Sequence, residues 1–369
     1  MKFFYFLNFL GLLVSGIAFG EELGLLTQER DFKGYPKRHR QHLLGTYELT
    51  PSQLHEVYGS RMDVSVEGGA TNAYISGRSL SSTQQSITAR GSVGGDVLTL
   101  ALAAQTRNFM ISRDQSNDRE SIQSFRLSPE IAATLEDQIT LGATIDLDYL
   151  QISEFYGGTS AEARGGYARP TASVSYHTPK LEVGVAATGM ALTQMKRTRD
   201  MNESEVALAF VGQRSDESVR EVYLPAHQTL FARGNLTDNW SLMGTYSHVS
   251  LDSSHESVPA TFRKYRPEDR SATSMQVSYW TTARSRVSAA AFYQGATFAP
   301  TGTEQSGLNL RLDNIFGANL EGNLRLRKHM YVGALVGTSQ GQRNQYMYGE
   351  SFRAKERHNR FLGSLSIEL

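Results

Sequence analysis

The sequence contains no cysteine, which excludes disulfide bonds, thiolate catalysis and metal centres with cysteine ligands. It also lacks a charge bias, since 37 Lys and Arg residues balance 37 Asp and Glu residues, so no nucleic-acid partner is indicated. After residue 20, no apolar stretch approaches the roughly 20 residues that a transmembrane helix needs. These absences leave a chain that either folds in water or crosses a membrane without helices.

The first twenty residues, MKFFYFLNFLGLLVSGIAFG, have the composition of a secretory signal. Lys2 supplies a positive charge, residues 3–14 form an apolar core, and the small residues Ala18 and Gly20 precede a cleavage site before Glu21. A retained membrane anchor is the alternative for this segment. Export is compatible with three destinations, namely the periplasm, the medium and the outer membrane.

Apolar and polar residues alternate with a period of two in many segments after residue 60. In ITLGATIDLDY, every second residue from Ile139 to Tyr149 is apolar, while Asp146 and Asp148 fall on the opposite face. The segment GLNLRLDNIFGANLEGNLRLR, residues 307–327, repeats the pattern. A period of two with one apolar face predicts a half-buried β-strand, because a helix would scatter these residues around its circumference.

Short turns and long polar connections alternate along this region, as they do in outer-membrane barrels. The long connections are expected at 155–167, 195–204, 255–271 and 341–357, and a strand-like segment at 205–213 is assigned to an extracellular extension. The alternation predicts fourteen transmembrane strands. They are expected at 61–75, 97–112, 139–154, 181–196, 240–253, 286–298 and 329–340 in one direction, and at 85–94, 122–135, 168–177, 219–235, 272–283, 307–327 and 358–369 in the other.

We therefore predict an all-β fold, a transmembrane antiparallel β-barrel over residues 61–369 with a short N-terminal plug. Barrel closure is expected because lipid cannot satisfy the N–H and C=O groups of an open sheet edge. The final strand, RFLGSLSIEL, places Phe361, Leu365, Ile367 and Leu369 on one face, which is typical of the strand that barrel-assembly machinery reads. A soluble β-sandwich or propeller is the rival, since it also alternates but turns its apolar face inward.

Residues 21–60 differ from the rest because they do not alternate. TPSQLHEVYG predicts a short helix, with Thr50 as N-cap, Pro51 at the first helical position and Gly59 just past the end. Because a barrel of fourteen strands has a wide lumen, we expect residues 21–60 to fold into it as a hatch. The alternative is that they hang in the periplasm.

Two strand–turn–strand segments resemble the FadL-type family of outer-membrane transporters for fatty acids and aromatic hydrocarbons. They are LSPEIAATLEDQITLGATIDLDY, residues 127–149, and LPAHQTLFARGNLTDNWSLMGTYSHVSLDS, residues 224–253. RPTASVSYHTPKLEVGV, residues 169–185, is similar to a lesser degree. The hatch lacks the Asn-Pro-Ala motif of the family, and Leu369 stands where the family usually ends in Phe.

This resemblance implies a fourteen-stranded barrel with an N-terminal hatch of about this size. It also implies passage of hydrophobic ligands from an extracellular cleft, past a moving hatch, and sideways through the barrel wall. Here residues 21–60 are the candidate gate, and the turn at Gly94 and Gly95 is the hypothesis for the opening in the wall.

The alternation places several charged residues on the face of the strands that is expected to line the lumen, and these are the candidate ligand-binding residues. They are Arg126, Arg233, Arg311, Arg325, Asp146 and Asp148, with Arg327 beside them. An inward arginine can hold a carboxylate headgroup by a charge-assisted hydrogen bond. The alternative is a structural network in which these arginines pair with Asp146, Asp148, Glu130, Asp313 and Glu321, and the near balance of charge favours that network.

No motif in the sequence assembles a catalytic or metal site. Asp146 and Asp148 would need a base, nucleophile or metal from other strands, so we expect them to line a wet interior. The nine histidines lack the spacing of zinc ligands, although a site at His39 and His42 stays conceivable. We expect no cofactor and no metal, and the protein is not predicted to be an enzyme.

The sequence predicts a passive outer-membrane channel for small hydrophobic molecules in a Gram-negative bacterium. The resemblance supplies the ligand class, of the fatty-acid or aromatic-hydrocarbon type, and no energy-coupling motif is visible. Expected partners are outer-membrane lipid, the small hydrophobic ligand and the barrel-assembly machinery. The alternatives are a general porin for polar solutes and a barrel-bound lipid hydrolase.

Overall fold

The structure is a computed structural model, and it describes most of the chain beyond residue 50. The described residues are 51–56, 59–75, 78–95, 97–113, 119–135, 138–156, 159–178, 180–197, 219–224, 226–237, 239–249, 265–266, 270–282, 285–294, 299–300, 309–327, 330–347 and 350–368. The signal at 1–20, residues 21–50 of the hatch and the strand-like segment 205–213 lie outside them.

A six-residue 3-10 helix, Pro51–Glu56, precedes the strands. No helix among the described residues is long and apolar enough to cross a membrane. The strand segments are β1 (Gly59–Ile75), β2 (Arg78–Gly94), β3 (Leu98–Arg113), β4 (Arg119–Leu135), β5 (Ile139–Tyr156), β6 (Thr159–His177), β7 (Leu181–Thr188), β8 (Ala191–Arg197), β9 (Val219–Leu224), β10 (His227–Asn235), β11 (Trp240–Val249), β12 (Tyr265–Arg266), β13 (Arg270–Thr282), β14 (Ser285–Gln294), β15 (Ala299–Pro300), β16 (Asn309–Arg327), β17 (Met330–Met347) and β18 (Glu350–Glu368).

These segments form a closed antiparallel barrel of fourteen strands, which confirms the predicted fold class and strand number. β7 and β8 are two halves of one strand, and β9 and β10 are two halves of the next, because β7 pairs with β10 and β8 with β9 in the same register. β12 and β15 form a separate two-stranded ribbon. The barrel closes where β1 pairs with β18, from Arg61↔Glu368 to Ile75↔Ala354.

The barrel is apolar outside and polar inside. On β5, Leu141, Ile145 and Tyr149 are 45–50% exposed, whereas Thr140 is 0% and Asp148 6% exposed. The other strands repeat this arrangement, with exposed Leu, Ile, Val and aromatic side chains outside and Ser, Thr, Gln and ion-paired residues inside. A soluble sandwich would bury the apolar face instead, so the rival fold is excluded.

The exposed apolar band matches the thickness of a bilayer. On β5 it runs from Ile139 to Tyr149, which is about 34 Å along the strand at ~3.4 Å per residue. At the usual tilt of about 40°, this length covers about 26 Å, close to the ~25 Å band of outer-membrane barrels. Outward aromatic pairs, Trp240 with Tyr279 at 4.6 Å and Tyr293 with Phe316 at 4.8 Å between ring centroids, suit the interfacial girdles of such barrels.

The prediction of long connections at 155–167 and 341–357 is wrong. Most of residues 155–167 and 341–357 are strand, and only two residues separate Tyr156 from Thr159 and Met347 from Glu350. β5–β6 and β17–β18 are therefore long hairpins that rise past the apolar band. Alternation failed to predict them because above the membrane both faces of a strand are wet, so their sequence has no apolar side.

Candidate functional site

Ion pairs line the inner wall, most of them between neighbouring strands, one within β1 (Arg61 with Asp63) and one across β3 from β2 to β4 (Arg90 with Glu130). Arg90 lies 2.7 Å from Glu130, Arg126 lies 2.9 Å from Asp148, Arg233 lies 3.0 Å from Glu182 and Arg286 lies 2.9 Å from Glu321, each measured from a guanidinium nitrogen to a carboxylate oxygen. Arg61 pairs with Asp63 at 2.7 Å, and Arg360 pairs with Glu67. The inner wall of the described barrel is therefore held by matched charges.

Arg126, Asp146 and Asp148 come together as the sequence predicts. The Arg126 Nε donates to both oxygens of Asp148, at 2.9 and 3.0 Å, and the Arg126 Nη1 lies 3.6 Å from Asp146. The Ser128 hydroxyl donates to Asp146 at 2.6 Å. Each carboxylate thus has a partner, and the arrangement has the form of the structural network.

The other candidate arginines have different surroundings. Arg233 is 0% exposed and its partner Glu182, a residue that the sequence analysis did not single out, is also 0% exposed. The Arg325 guanidinium lies 5.5 Å from the centre of the Tyr331 ring, and its Nε donates to the Arg327 carbonyl at 3.3 Å. Glu182 lies directly opposite Arg233 in the β7–β10 register, which sequence alone does not give.

Arg311 does not lie in regular alternation with the rest of β16. Its backbone pairs with Asn344 of β17, but the register shifts between Leu312 and Ile315. A β-bulge adds one residue to a strand and reverses the alternation beyond it. The parity used for Arg311 and Asp313 therefore does not carry over from the lower part of β16, and the structure does not describe their side chains.

The helix Pro51–Glu56 lies inside the barrel, against the inner face of β3, β4, β5 and β6. Ser52, Gln53 and Leu54 are 0% exposed, and Leu54 packs against Ala101 and Ala132 of the wall. The short helix predicted in TPSQLHEVYG is thus confirmed at Pro51–Glu56, and Gly59 follows it with φ = 69°. Thr50, the predicted N-cap, lies outside the described residues.

A glycine in the wall makes room for this helix. A Cβ at Gly142 would lie 2.2 Å from the Ser52 nitrogen and 2.3 Å from the Pro51 carbonyl carbon, closer than any real contact. The Ser52 amide also donates to the Ser173 hydroxyl of β6 at 2.7 Å. The helix Pro51–Glu56, called the plug helix from here on, therefore fits against a recess of small residues in the wall.

The backbone ladder of the wall is interrupted between β6 and β8. β6 pairs with β7 from His177↔Glu182 up to Thr171↔Thr188, and with β8 only at Ala163↔Arg197 and Arg164↔Lys196. Between these pairs the Gly189 amide donates to the Pro170 carbonyl at 2.8 Å. Residues 165–169 and 190–195, all of which the structure describes, form no ladder with each other.

The Gly94–Gly95 turn, suggested as an opening from the sequence, lies beside a complete ladder. β2 and β3 pair without a break from Leu80↔Arg113 to Gly94↔Thr99. The stretch without a ladder lies instead between β6 and β8, at the level where Tyr149 of β5 pairs with Gly166. That level is the upper edge of the apolar band.

Among the described residues, no group of three or more His, Asp or Glu side chains is placed to hold a metal ion. No family model matches the sequence, and no curated protein sequence matches it. The comparisons with solved structures, in contrast, give clear similarities in fold.

The chain is similar to the crystal structure of a Pseudomonas aeruginosa FadL homologue, with a TM-score of 0.63 and 11% identity, over 86% of this chain and 92% of that chain. It is also similar to the Pseudomonas putida toluene transporter TodX, with a TM-score of 0.58 and 10% identity, over 93% and 100% of the two chains. The chain is similar as well to the Ralstonia pickettii toluene transporter TbuX, with a TM-score of 0.57 and 10% identity, over 90% of this chain and 98% of that chain. The resemblance predicted from sequence is thus confirmed for the fold.

Proposed function

We propose that this protein is an outer-membrane channel for passive movement of small hydrophobic molecules. The observation that carries the proposal is its fold, a closed barrel that covers nearly the whole of TodX and TbuX, both described as toluene transporters. The helix Pro51–Glu56 in the lumen and the break in the ladder between β6 and β8 add support, because a channel of this kind needs a gate in the lumen and an exit through the wall. TodX and TbuX are both described as transporters, so we expect no catalysis.

We propose that residues 21–60 form the hatch. The described end of this segment, Pro51–Glu56, already lies in the lumen. Residues 21–50, the rest of this segment, lie outside the described residues, and their place in the hatch is part of the proposal.

We propose that ligands leave through the wall between β6 and β8. The stretch of β6 that forms no ladder with β8 is five residues long, about 17 Å along the strand. The outward residues Ala168 and Pro170 border it, and both are exposed in the apolar band. An apolar molecule released there would enter the outer leaflet without meeting water.

We propose further that the apolar band contacts outer-membrane lipid and that β18 is the strand recognised by the barrel-assembly machinery. Phe361 is 55% exposed, and Leu365 and Ile367 are half-buried on the same side of the strand. This pattern leaves the final strand apolar towards lipid, as expected of an outer-membrane barrel.

A general porin is the second candidate, because the inner wall is rich in hydroxyl groups such as those of Ser274 and Ser288. Two measurements on the full-length chain separate the candidates. Planar bilayers should show no large steady ion current, and vesicles containing the protein should take up toluene faster than empty vesicles while remaining closed to sugars. Steady current together with sugar-driven swelling would replace the hydrophobic channel by a porin.

A further inference from the structure

One buried side chain bridges the interruption in the wall. The Arg169 Nε donates to the Gly189 carbonyl at 3.0 Å, and Nη2 lies 3.0 Å from the His227 Nδ1. Arg169 is only 3% exposed and lies on the part of β6 that forms no ladder with β8. Its guanidinium therefore joins three strands, since Gly189 follows β7 and His227 begins β10.

The sequence around Arg169 explains why the backbone cannot make this connection. Pro170 has no N–H and cannot donate to the neighbouring strand. A Cβ at Gly189 would lie 3.1 Å from the Pro170 Cγ, so Gly189 is the residue that lets the two strands approach here. The register also shifts by one residue between the β6–β7 pairs and the β6–β8 pairs, which leaves the backbone groups above Pro170 out of step.

We propose that Arg169 is the latch of the side exit, a positioning residue whose hydrogen bonds to Gly189 and His227 hold β6 against the β7–β8 strand when the wall is closed. The inference rests on the proposed function, which supplies the exit for ligands, whereas the hydrogen bonds of Arg169 are observed in the structure. Arginine suits the role because its planar group offers several donors in fixed directions, so it bonds two acceptors on different strands at once. His227 accepts through Nδ1, since a guanidinium only donates.

Release of the latch removes the hydrogen bonds that the Arg169 side chain makes to Gly189 and His227. Adjacent strands lie about 4.8 Å apart, so β6 and β8 must separate further before an aromatic ring or an alkyl chain can pass between them. β8 can move outward with β9, to which it is paired from Ala191↔Leu224 to Lys196↔Val219, in the stretch between the β6–β7 pair Thr171↔Thr188 and the β6–β8 pair Arg164↔Lys196. The break between β7 and β8 at Gly189 and Met190 is the hinge of this motion.

The latch can be tested by a distance across the interruption, independently of transport. The chain has no cysteine, so spin labels placed by Ala168→Cys and Met190→Cys, both at exposed positions, are the only two labels. In the full-length protein in lipid nanodiscs we expect one short distance. Adding Arg169→Met should shift the closed-to-open equilibrium by about tenfold or more towards a longer distance, because two hydrogen bonds are lost. Arg169→Lys should give an intermediate shift.

The control is Arg325→Met, an inward arginine on β16, which should leave the distance between the two labels unchanged. Gel mobility with and without heating confirms that each variant is a folded barrel, and Arg169→Lys and His227→Ala provide milder changes if Arg169→Met does not fold. An unchanged distance in folded Arg169→Met or His227→Ala overturns the latch.

Toluene uptake by the same variants separates this inference from the proposed function. Faster uptake together with the longer distance supports both. A longer distance without any toluene uptake, in the parent or the variants, supports the latch and removes the hydrophobic-channel proposal. Faster uptake at an unchanged distance keeps the channel and removes the latch.

Discussion

The amide of Ser52 donates a 2.7 Å hydrogen bond to the hydroxyl of Ser173, 121 residues further along the chain. Both groups are buried, so the bond is worth more than one exposed to water. It ties the plug helix to β6, the same strand that borders the interrupted wall. The end of the proposed hatch and the proposed exit therefore share one structural element.

Replacing Gly142 with alanine should loosen the plug helix. The added Cβ would lie 2.2 Å from the Ser52 nitrogen, and because that atom is backbone, the helix has to move as a unit. We expect faster protease cleavage in residues 21–58 of the folded barrel and larger current fluctuations in planar bilayers. Gly322→Ala is the matched control, since a Cβ there meets nothing within 4 Å. Equal cleavage of the two variants would mean that the helix is not held at Gly142.

The buried pair of Arg233 and Glu182 should be costly to break from one side. Both side chains are 0% exposed, so Glu182→Gln or Arg233→Met leaves a buried group without its charge partner. We expect a loss of about 3–5 kcal/mol in the free energy of unfolding, measured by denaturant titration in lipid vesicles. The double variant Glu182→Gln with Arg233→Met should lose less than the sum of the two single losses.

The exposed pair of Arg164 and Glu162 is the control for that measurement. Its side chains are 48% and 24% exposed and lie 2.6 Å apart. Removing either partner should cost less than about 1 kcal/mol, because water solvates the group that remains. A similar loss at both sites would show that Glu182 and Arg233 are reached by water in the folded barrel.

Arg126→Met should distinguish a structural network from a headgroup site. Arg126 is already bonded to Asp148 and lies 3.6 Å from Asp146, so we expect the variant to lose stability while toluene and fatty-acid uptake change in parallel. Uptake of the two ligands in the same vesicles is the measurement. A loss of ten-fold or more for the fatty acid alone would assign Arg126 to the carboxylate of the ligand, and Arg126→Lys should then restore part of it.

Ile145→Arg should destabilise the barrel through contact with lipid. Ile145 is 47% exposed and lies near the middle of the apolar band on β5. An arginine at the midplane of a barrel costs about 2–4 kcal/mol, and one near the interface about 0–1 kcal/mol. Leu236→Arg, at a turn and 65% exposed, is the interfacial control in the same unfolding assay. Equal costs at the two positions would place the membrane elsewhere on the barrel.

Much of the barrel could be predicted from the sequence because lipid on one side and polar groups on the other impose a strict period of two. The facing of Arg126, Asp146 and Asp148 follows from that period alone. The partner Glu182 could not be identified, since pairing depends on the register between strands. The bulge near Leu312 was hidden for the same reason, because one extra residue leaves no sign in composition.

The role proposed for Arg169 also could not be predicted from the sequence. By alternation it is one of many inward residues, and only the register shows that β6 forms no ladder with β8 beside it. Pro170 was a visible signal, since proline inside a strand weakens the ladder on one side. Pro170 shows where the ladder lacks a hydrogen bond, but it does not identify the side chain that bonds across that position.

The tall hairpins bear on where a ligand meets the protein. An eighteen-residue strand such as β17 spans about 45 Å along the barrel axis at the usual tilt, whereas the apolar belt takes up about 25 Å of that height. The rim of the barrel therefore lies about 20 Å above the apolar belt on this side. Along this stretch of rim, a molecule dissolved in the lipid cannot enter the mouth directly, so under the proposed function a ligand reaches the mouth from the surrounding water.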